Sequence, residues 1–380
     1  MNNSKQIKKI IGDCIKWLEE VQIKDDLFHK GGFPPYPDTI KSAGTLATAD
    51  VITFLQRTGI KKKQLIDDGV EFLLRVQIKD NKKYLSQNGG FPPIGDFEFI
   101  VNTSFTDSTA DALLGLLNSY RQIKDKNKLE IISNSIERGI NWLLECYNSV
   151  ESLPFPTYLI KEEYNVGQQR YFPTILSGIA FITYIDYCKI INKEVRDEIE
   201  IKKCVKDIAK CIKYELGRKG YMVFLKDKDV PSLTSTILAI EFIHILKKST
   251  SVEGCPNWDS VLEKSYKWLL EQYKNRLSKD NENNDTFTDY DFVHIDIPEI
   301  SEGDYPATYF TPAPMVKLLV EYPPSSEYKE LLDNLIQKLI KIVEYSNDTA
   351  YYLEYRGRDE PATSATAAAI CALNSYEEVI

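Results

Sequence analysis

The chain has 380 residues, of which 43 % are hydrophobic and 11 % aromatic, and it carries a formal net charge of −9. That hydrophobic share supports a sizeable core, and the acidic balance weighs against nucleic acid as the main partner, because such binding rests on neutralising phosphates. No stretch approaches the roughly 20 apolar residues needed to span a bilayer, and the first residues run into an amphipathic pattern rather than a signal segment. The reading is therefore of a cytoplasmic protein with no membrane span. The seven cysteines (14, 146, 188, 204, 211, 255 and 371) form no Cys-x-x-Cys pair and mostly sit in apolar helical contexts, the pattern of buried free thiols in a reducing compartment.

In chain order, Ile7, Ile10, Ile11, Cys14, Trp17, Leu18 and Val21 recur at the spacing of a helix with one buried face. A loop, Gly31-Gly32-Phe33-Pro34-Pro35, follows, and then a small-residue-rich apolar segment over Leu46–Leu55. The same unit returns as Phe72–Gln77, Gly89-Gly90-Phe91-Pro92-Pro93 and Ala110–Leu117. Trp142, Ile212, Trp268 and Val343 anchor four more amphipathic stretches, each followed by an apolar one: Ile175–Ile185, Leu233–Leu246, Pro314–Val320 and Ala362–Leu373. A unit of this length cannot bury its own apolar face and must stack on its neighbours. Helices apolar nearly all round belong inside, and those with one polar face belong outside.

The expected fold is all-α: an (α/α)6 toroid in one domain over residues 1–380, with units beginning near 5, 62, 133, 200, 258 and 328. Its cavity lies at the inner-helix ends. Residues 221–225 and 292–296 read as short rim hairpins, and the polar insertion at 278–304 lies over the rim as a lid or a loose loop.

Several residues carry a family likeness: Trp17, Gln22 and Gly31-Gly32-Phe33; Phe72, Gln77 and Gly89-Gly90-Phe91; Tyr214 with Gly220-Tyr221; and Trp268 with Gln272. Together with the segments starting at Thr106, Pro231 and Ala362, they resemble the repeats of the squalene–hopene cyclase and protein prenyltransferase superfamily. The resemblance implies a scaffold in which the Gln residues cap helix ends. That family's acid motif, Asp-x-Asp-Asp, falls here on Ser104-Phe105-Thr106-Asp107, which keeps only the last carboxylate. The prenyltransferase zinc set has no counterpart around His29, His244 or His294. Gln87-Asn88-Gly89-Gly90-Phe91-Pro92 followed by Ser104-Phe105-Thr106-Asp107 is also similar to toroidal pectate lyases.

Three functions are left open. The first is a divergent cyclase-like toroid that binds a small or apolar ligand, with altered or lost cyclase activity. The second is a non-catalytic module for a protein partner. The third is a carbohydrate-active toroid, a polysaccharide lyase or glycoside hydrolase. The candidate catalytic residues are Asp107, Asp50 and Asp111. Asp50 and Asp111 occupy equivalent places in successive units, and carboxylates that deep in an apolar helix are costly unless paired or functional. Salt bridges to Arg170, Arg356 or Arg358 are the structural alternative. Candidate ligand-binding residues are Tyr36, Phe105, Arg170, Tyr171, Tyr221, Asp291, His294, Tyr309, Arg356 and Arg358. No metal site or cofactor is assigned.

Overall fold

A computed structural model describes residues 3–93, 103–163, 165–226, 228–250, 252, 257–278, 288–297, 301–324, 328–353 and 360–379; for 3, 121, 278, 288–297 and 301–308 only the backbone is described. Six helical hairpins follow one another: α1 (Asn3–Val21) with α2 (Thr45–Arg57), α3 (Lys63–Val76) with α4 (Thr106–Ser119), and α5 (Lys126–Asn148) with α6 (Tyr171–Ile190). They continue as α7 (Glu198–Lys219) with α8 (Leu233–Lys248), α9 (Asp259–Ser278) with α10 (Pro312–Glu321), and α11 (Lys329–Ile342) with α12 (Thr363–Glu377). The even-numbered helices pack side by side in chain order and α12 returns to α2, closing an (α/α)6 toroid with the odd-numbered helices outside. Val343, expected on the sixth outer helix, lies just past its end. Among the described residues no helix is long and apolar enough to cross a membrane.

Five inner helices are fastened at their starts by one repeated device. The fourth residue of α2, α4, α6, α8 and α12 is a buried threonine whose Oγ1 accepts a backbone N–H from the preceding loop. Phe33 donates to Thr48 at 2.9 Å, Phe91 to Thr109 at 2.9 Å, Phe155 to Thr174 at 2.6 Å, Met222 to Thr236 at 2.9 Å and Tyr352 to Thr366 at 2.9 Å. A buried N–H without a partner is costly, so each loop is pinned to its own inner helix.

A second device joins neighbouring units. Thr45 Oγ1 donates to the Pro92 carbonyl at 2.6 Å, Thr106 to Pro156 at 2.5 Å, and Thr363 to Pro34 at 2.6 Å. The last of these, from the sixth unit to the first, fastens the ring. The two recurring glutamines also tie units together. Gln22 Nε2 donates to the carbonyls of Gly31 and Leu65, and Gln77 Nε2 to those of Gly89 and Ser135. Gly31 and Gly89 have φ of 85° and 107°, and a Cβ on either would collide with the backbone carbonyl of Asp68 or Arg138. Only glycine fits there.

Among the described residues five antiparallel two-stranded pairs decorate the loops. They pair β1 (Phe155–Pro156) with β4 (Gln169–Arg170), β2 (Leu159–Ile160) with β3 (Asn165–Val166), and β5 (Met222–Val223) with β6 (Pro231–Ser232). The long pair is β7 (Thr288–Ile297) with β8 (Ser301–Phe310), and β9 (Glu344–Ser346) pairs with β10 (Thr349–Tyr351). Both segments read as rim hairpins from sequence are therefore strands, and the 278–304 insertion contributes one arm of the long hairpin. The six cysteines among the described residues are free thiols, all buried except the half-buried Cys211; Cys255 lies outside them.

Candidate active site in the lumen

Each inner helix has a neighbour on either side and an outer helix behind it, so its one remaining face turns to the lumen. Solvent contact along these helices follows a single helical stripe. On α2 it falls at Leu46, Asp50, Phe54 and Arg57, on α4 at Asp107, Asp111 and Asn118, and on α8 at Thr234, Leu238 and Glu241, with the other faces buried until the last turns, where Gln56 and, from His244 onward, all but Leu246 also meet solvent. The i, i+4 and i+3 spacing places each set on one line. The three candidate acids therefore share the lumen wall on adjacent helices, Asp50 and Asp111 each at the sixth residue of its helix.

Asp107 stands at the mouth, where its Oδ1 accepts the Ser108 N–H at 2.8 Å and its Oδ2 lies 3.8 Å from Arg170 Nη1. Burial pushes its carboxyl above the usual range, and Arg170 and the Ser108 amide hold part of that rise back. Asp111 lies one turn deeper. Burial pushes its carboxyl well above the usual range, the charges of Asp50 and Asp107 push it further, and Arg57 opposes them only in part. Among the described residues no cation stands within ion-pair distance of Asp111. Arg170 pairs with Asp107; Arg356 and Arg358, the other cations expected as partners of Asp50 and Asp111, lie outside the described residues. The fold thus builds a carboxylic acid that keeps its proton at a higher pH than an ordinary aspartate, beside another carboxylate.

At the mouth Arg170 is fully buried, and its Nη2 donates to the Tyr309 hydroxyl at 3.3 Å. Tyr309, from β8, packs on Phe172 with ring centroids 5.0 Å apart and stacks on Phe224 at 5.7 Å. Arg170, Tyr309 and Asp107 are thereby brought together. The other candidates lie apart from them. Tyr171 turns outward, its hydroxyl 3.3 Å from Glu215 on α7. Phe105 is buried against Tyr158, with centroids 5.5 Å apart, Tyr221 covers Trp268 on α9 at 5.1 Å, and Tyr36 packs half-buried against the core. Asp291 and His294 lie on β7 opposite Ala307 and Asp304, while Arg356 and Arg358 lie outside the described residues. His244 is stacked on Tyr322 at 4.4 Å and contacts the Tyr266 hydroxyl at 3.1 Å. Burial, with Lys247 and Lys248, lowers it to about 4. Among the described residues no three His, Cys, Asp or Glu side chains converge as a metal site.

Below the acids stands a group that the sequence reading did not single out. Arg57 on α2 donates to Glu241 on α8 at 3.0 Å, and Lys317 on α10 donates to the same carboxylate oxygen at 2.6 Å while lying 3.3 Å from Glu321. In the ring order α2 and α8 face each other, so the Arg57–Glu241 pair crosses the lumen. Burial works against the charge on Glu241, but Lys317 and Arg57 outweigh it and hold its carboxyl at about 2. The only sequence signal was a charged residue alone in an apolar inner segment, which looks the same whether it faces solvent or a partner.

No protein-family profile matches the chain, and no curated protein matches it in sequence. Its backbone is similar to solved toroids. One is a cellobiose 2-epimerase from Spirochaeta thermophila DSM 6192, with a TM-score of 0.64 and 11 % identity over 99 % of this chain and 96 % of that one. Another is a D-mannose isomerase, with a TM-score of 0.62 and 12 % identity over 100 % and 99 %. A third is the GH76A α-1,6-mannanase from Salegentibacter sp. HEL1_6, with a TM-score of 0.58 and 8 % identity over all of both chains. At these identities the likeness is one of fold.

These toroids, named for sugar chemistry, replace the likeness to squalene–hopene cyclases and protein prenyltransferases, and with it the cyclase-like reading of the function. The physical reason lies in the lumen. An isoprenoid needs an apolar cavity, whereas this one carries three carboxylates on its wall and an ion cluster at its floor, whose desolvation an apolar ligand could not repay. The glutamine–glycine–aromatic signature belongs to the joints of the toroid, where Gln22 and Gln77 bind backbone carbonyls, and marks no chemistry.

Proposed function

We propose that the chain is a carbohydrate-active enzyme that hydrolyses a glycosidic bond in the lumen, with Asp111 as general acid and Asp50 as its carboxylate partner. The observation that carries this reading is the pairing of Asp111, whose carboxyl is pushed well above the usual range by burial and the charges of Asp50 and Asp107, with Asp50 at the same depth on the next inner helix. Glycoside hydrolysis needs such a pair, one carboxyl protonated and one ionised. Asp111 gives its proton to the glycosidic oxygen as the bond to the anomeric carbon breaks. Asp50 takes a proton from the incoming water, whose hydroxyl replaces the leaving group.

The rest of the wall suits a sugar. Tyr309 and Phe172 offer ring faces to its apolar C–H surface, and Asp107, set by Arg170, is an acceptor for its hydroxyls. The similarity in fold to toroids named as an epimerase, an isomerase and a mannanase of sugars agrees with this reading.

The test is an assay of the purified protein on cellobiose, D-mannose, amylose and α-1,6-mannan. Hydrolysis of at least one glycosidic substrate is expected, with the rate falling by about a hundredfold or more in Asp111→Asn and in Asp50→Asn. Turnover by Asp111→Asn at the wild-type rate would remove Asp111 from the mechanism, and no turnover or binding of any of these sugars would remove the carbohydrate reading.

A further inference from the structure

We infer that the ion pair between Arg57 and Glu241 closes the lumen from below, so that the site accepts a chain end or a short oligosaccharide and excludes the interior of a polymer. The inference rests on the carbohydrate reading above and adds the form of the substrate.

The argument is one of depth. The inner helices pack side by side with their starts at the mouth, and five of them carry the same loop-binding threonine at the fourth position, so residues at equal positions stand at about equal depth. Asp50 and Asp111 are sixth in their helices and Glu241 is ninth, so the floor lies about 4.5 Å below the acids and about 12 Å below the mouth at 1.5 Å per residue. Arg57 starts deeper, but helical side chains lean toward the N-terminus, which carries its guanidinium back to Glu241. The pair joins opposite helices at 3.0 Å, with side-chain exposures of 27 % for Arg57 and 14 % for Glu241, and so spans the lumen at that depth. Lys317, with a side-chain exposure of 7 %, fills the flank on α10. Leu238, sixth in α8, stands level with the acids and Phe54, tenth in α2, close to the level of the floor, and the step of about 4.5 Å between acids and floor leaves room for a single sugar ring beyond the scissile bond. A chain threading through the lumen would have to pass this level, which the paired charges of Arg57, Glu241 and Lys317 occupy.

The experiment follows viscosity and reducing sugar together while the wild-type protein acts on amylose and on α-1,6-mannan. The expected result is the release of mono- or disaccharide with viscosity falling by less than about a tenth in the first tenth of the reaction, because ends are trimmed. Early collapse of viscosity, the mark of cleavage inside the chain, would overturn the closed floor while leaving the carbohydrate reading intact. No reducing sugar from any glycan would remove both. Arg57→Ala, with its fold checked by circular dichroism, is expected to release a product one or more units longer than the wild type. An unchanged product length in a folded Arg57→Ala would also overturn the role given to the floor.

Discussion

A carboxylic acid in the second turn of an inner helix loses much of its water on folding, and Asp111 loses it beside the carboxylates of Asp50 and Asp107. Its folded pKa therefore lies above the unfolded value. The stability that this shift confers is present below the unfolded pKa and is lost as pH rises through the folded one. At pH 8 the charged form opposes folding, and Asp111→Asn is expected to raise Tm by about 1–2 °C, with little change at pH 4, while hydrolysis is lost. Thermal melts at the two pH values check it.

Glu241 behaves in the opposite sense. Its carboxyl is held at about 2 against an unfolded value of 4.5, so its contribution is complete above the unfolded value and lost as pH falls toward the folded one. Glu241→Gln would leave the buried Lys317 with Glu321 alone as counter-ion and take from Arg57 its carboxylate partner, at a cost of about 3 kcal/mol at pH 7. Denaturant unfolding should show that loss at pH 7 and almost none of it near pH 2. Asp50 and Asp111 were legible in the sequence because they recur at one place in successive units. Arg57 and Glu241 were not, since 184 residues separate them and nothing local marks the pairing. Tyr171 turns outward while Phe172 faces the lumen because successive helical residues point about 100° apart, which makes aromatic content alone a poor guide to a site.

The helical hairpin carries its own instructions, and much of it was readable. Apolar spacing separated outer from inner helices, and glycines marked the tight turns. All six inner segments were read short at their ends, and four of them at their starts; α2, for example, extends past Leu55 to Arg57, and the charged residue at its end fell outside the apolar pattern. The threonines were visible as small-residue content, but their bonds were not, because an N–H to Oγ1 contact depends on the fold of the loop. Thr109→Val keeps the volume and removes the acceptor for the Phe91 N–H. It should cost about 1–3 kcal/mol, with Thr109→Ser closer to wild type. Urea unfolding of the two variants checks this, with faster amide exchange expected at Phe91 in the valine variant.

Closure of the ring depends on the sixth unit returning to the first. Thr363 donates its N–H to Pro35 at 3.0 Å and its hydroxyl to Pro34 at 2.6 Å, and Asn374 reaches the Thr58 carbonyl at 3.5 Å. Removal of residues 363–380 would expose the apolar faces of α2 and α10. Such a truncation is expected to lose the cooperative thermal transition and to bind a hydrophobic dye that the full chain does not bind. The closed ring places the acids of α2 and α4 at one depth, above a floor made by α2, α8 and α10, and so confers on Asp111 a property that no aspartate has in water.

The most direct test of that claim is a titration of the Asp111 side-chain carboxyl by carbon-13 NMR in aspartate-labelled protein, assigned with Asp111→Asn. The account predicts a resonance that stays in its protonated position after the surface aspartates have ionised, and that shifts toward ordinary behaviour in Asp50→Asn. Titration of Asp111 together with the surface aspartates, indifferent to Asp50, would contradict it.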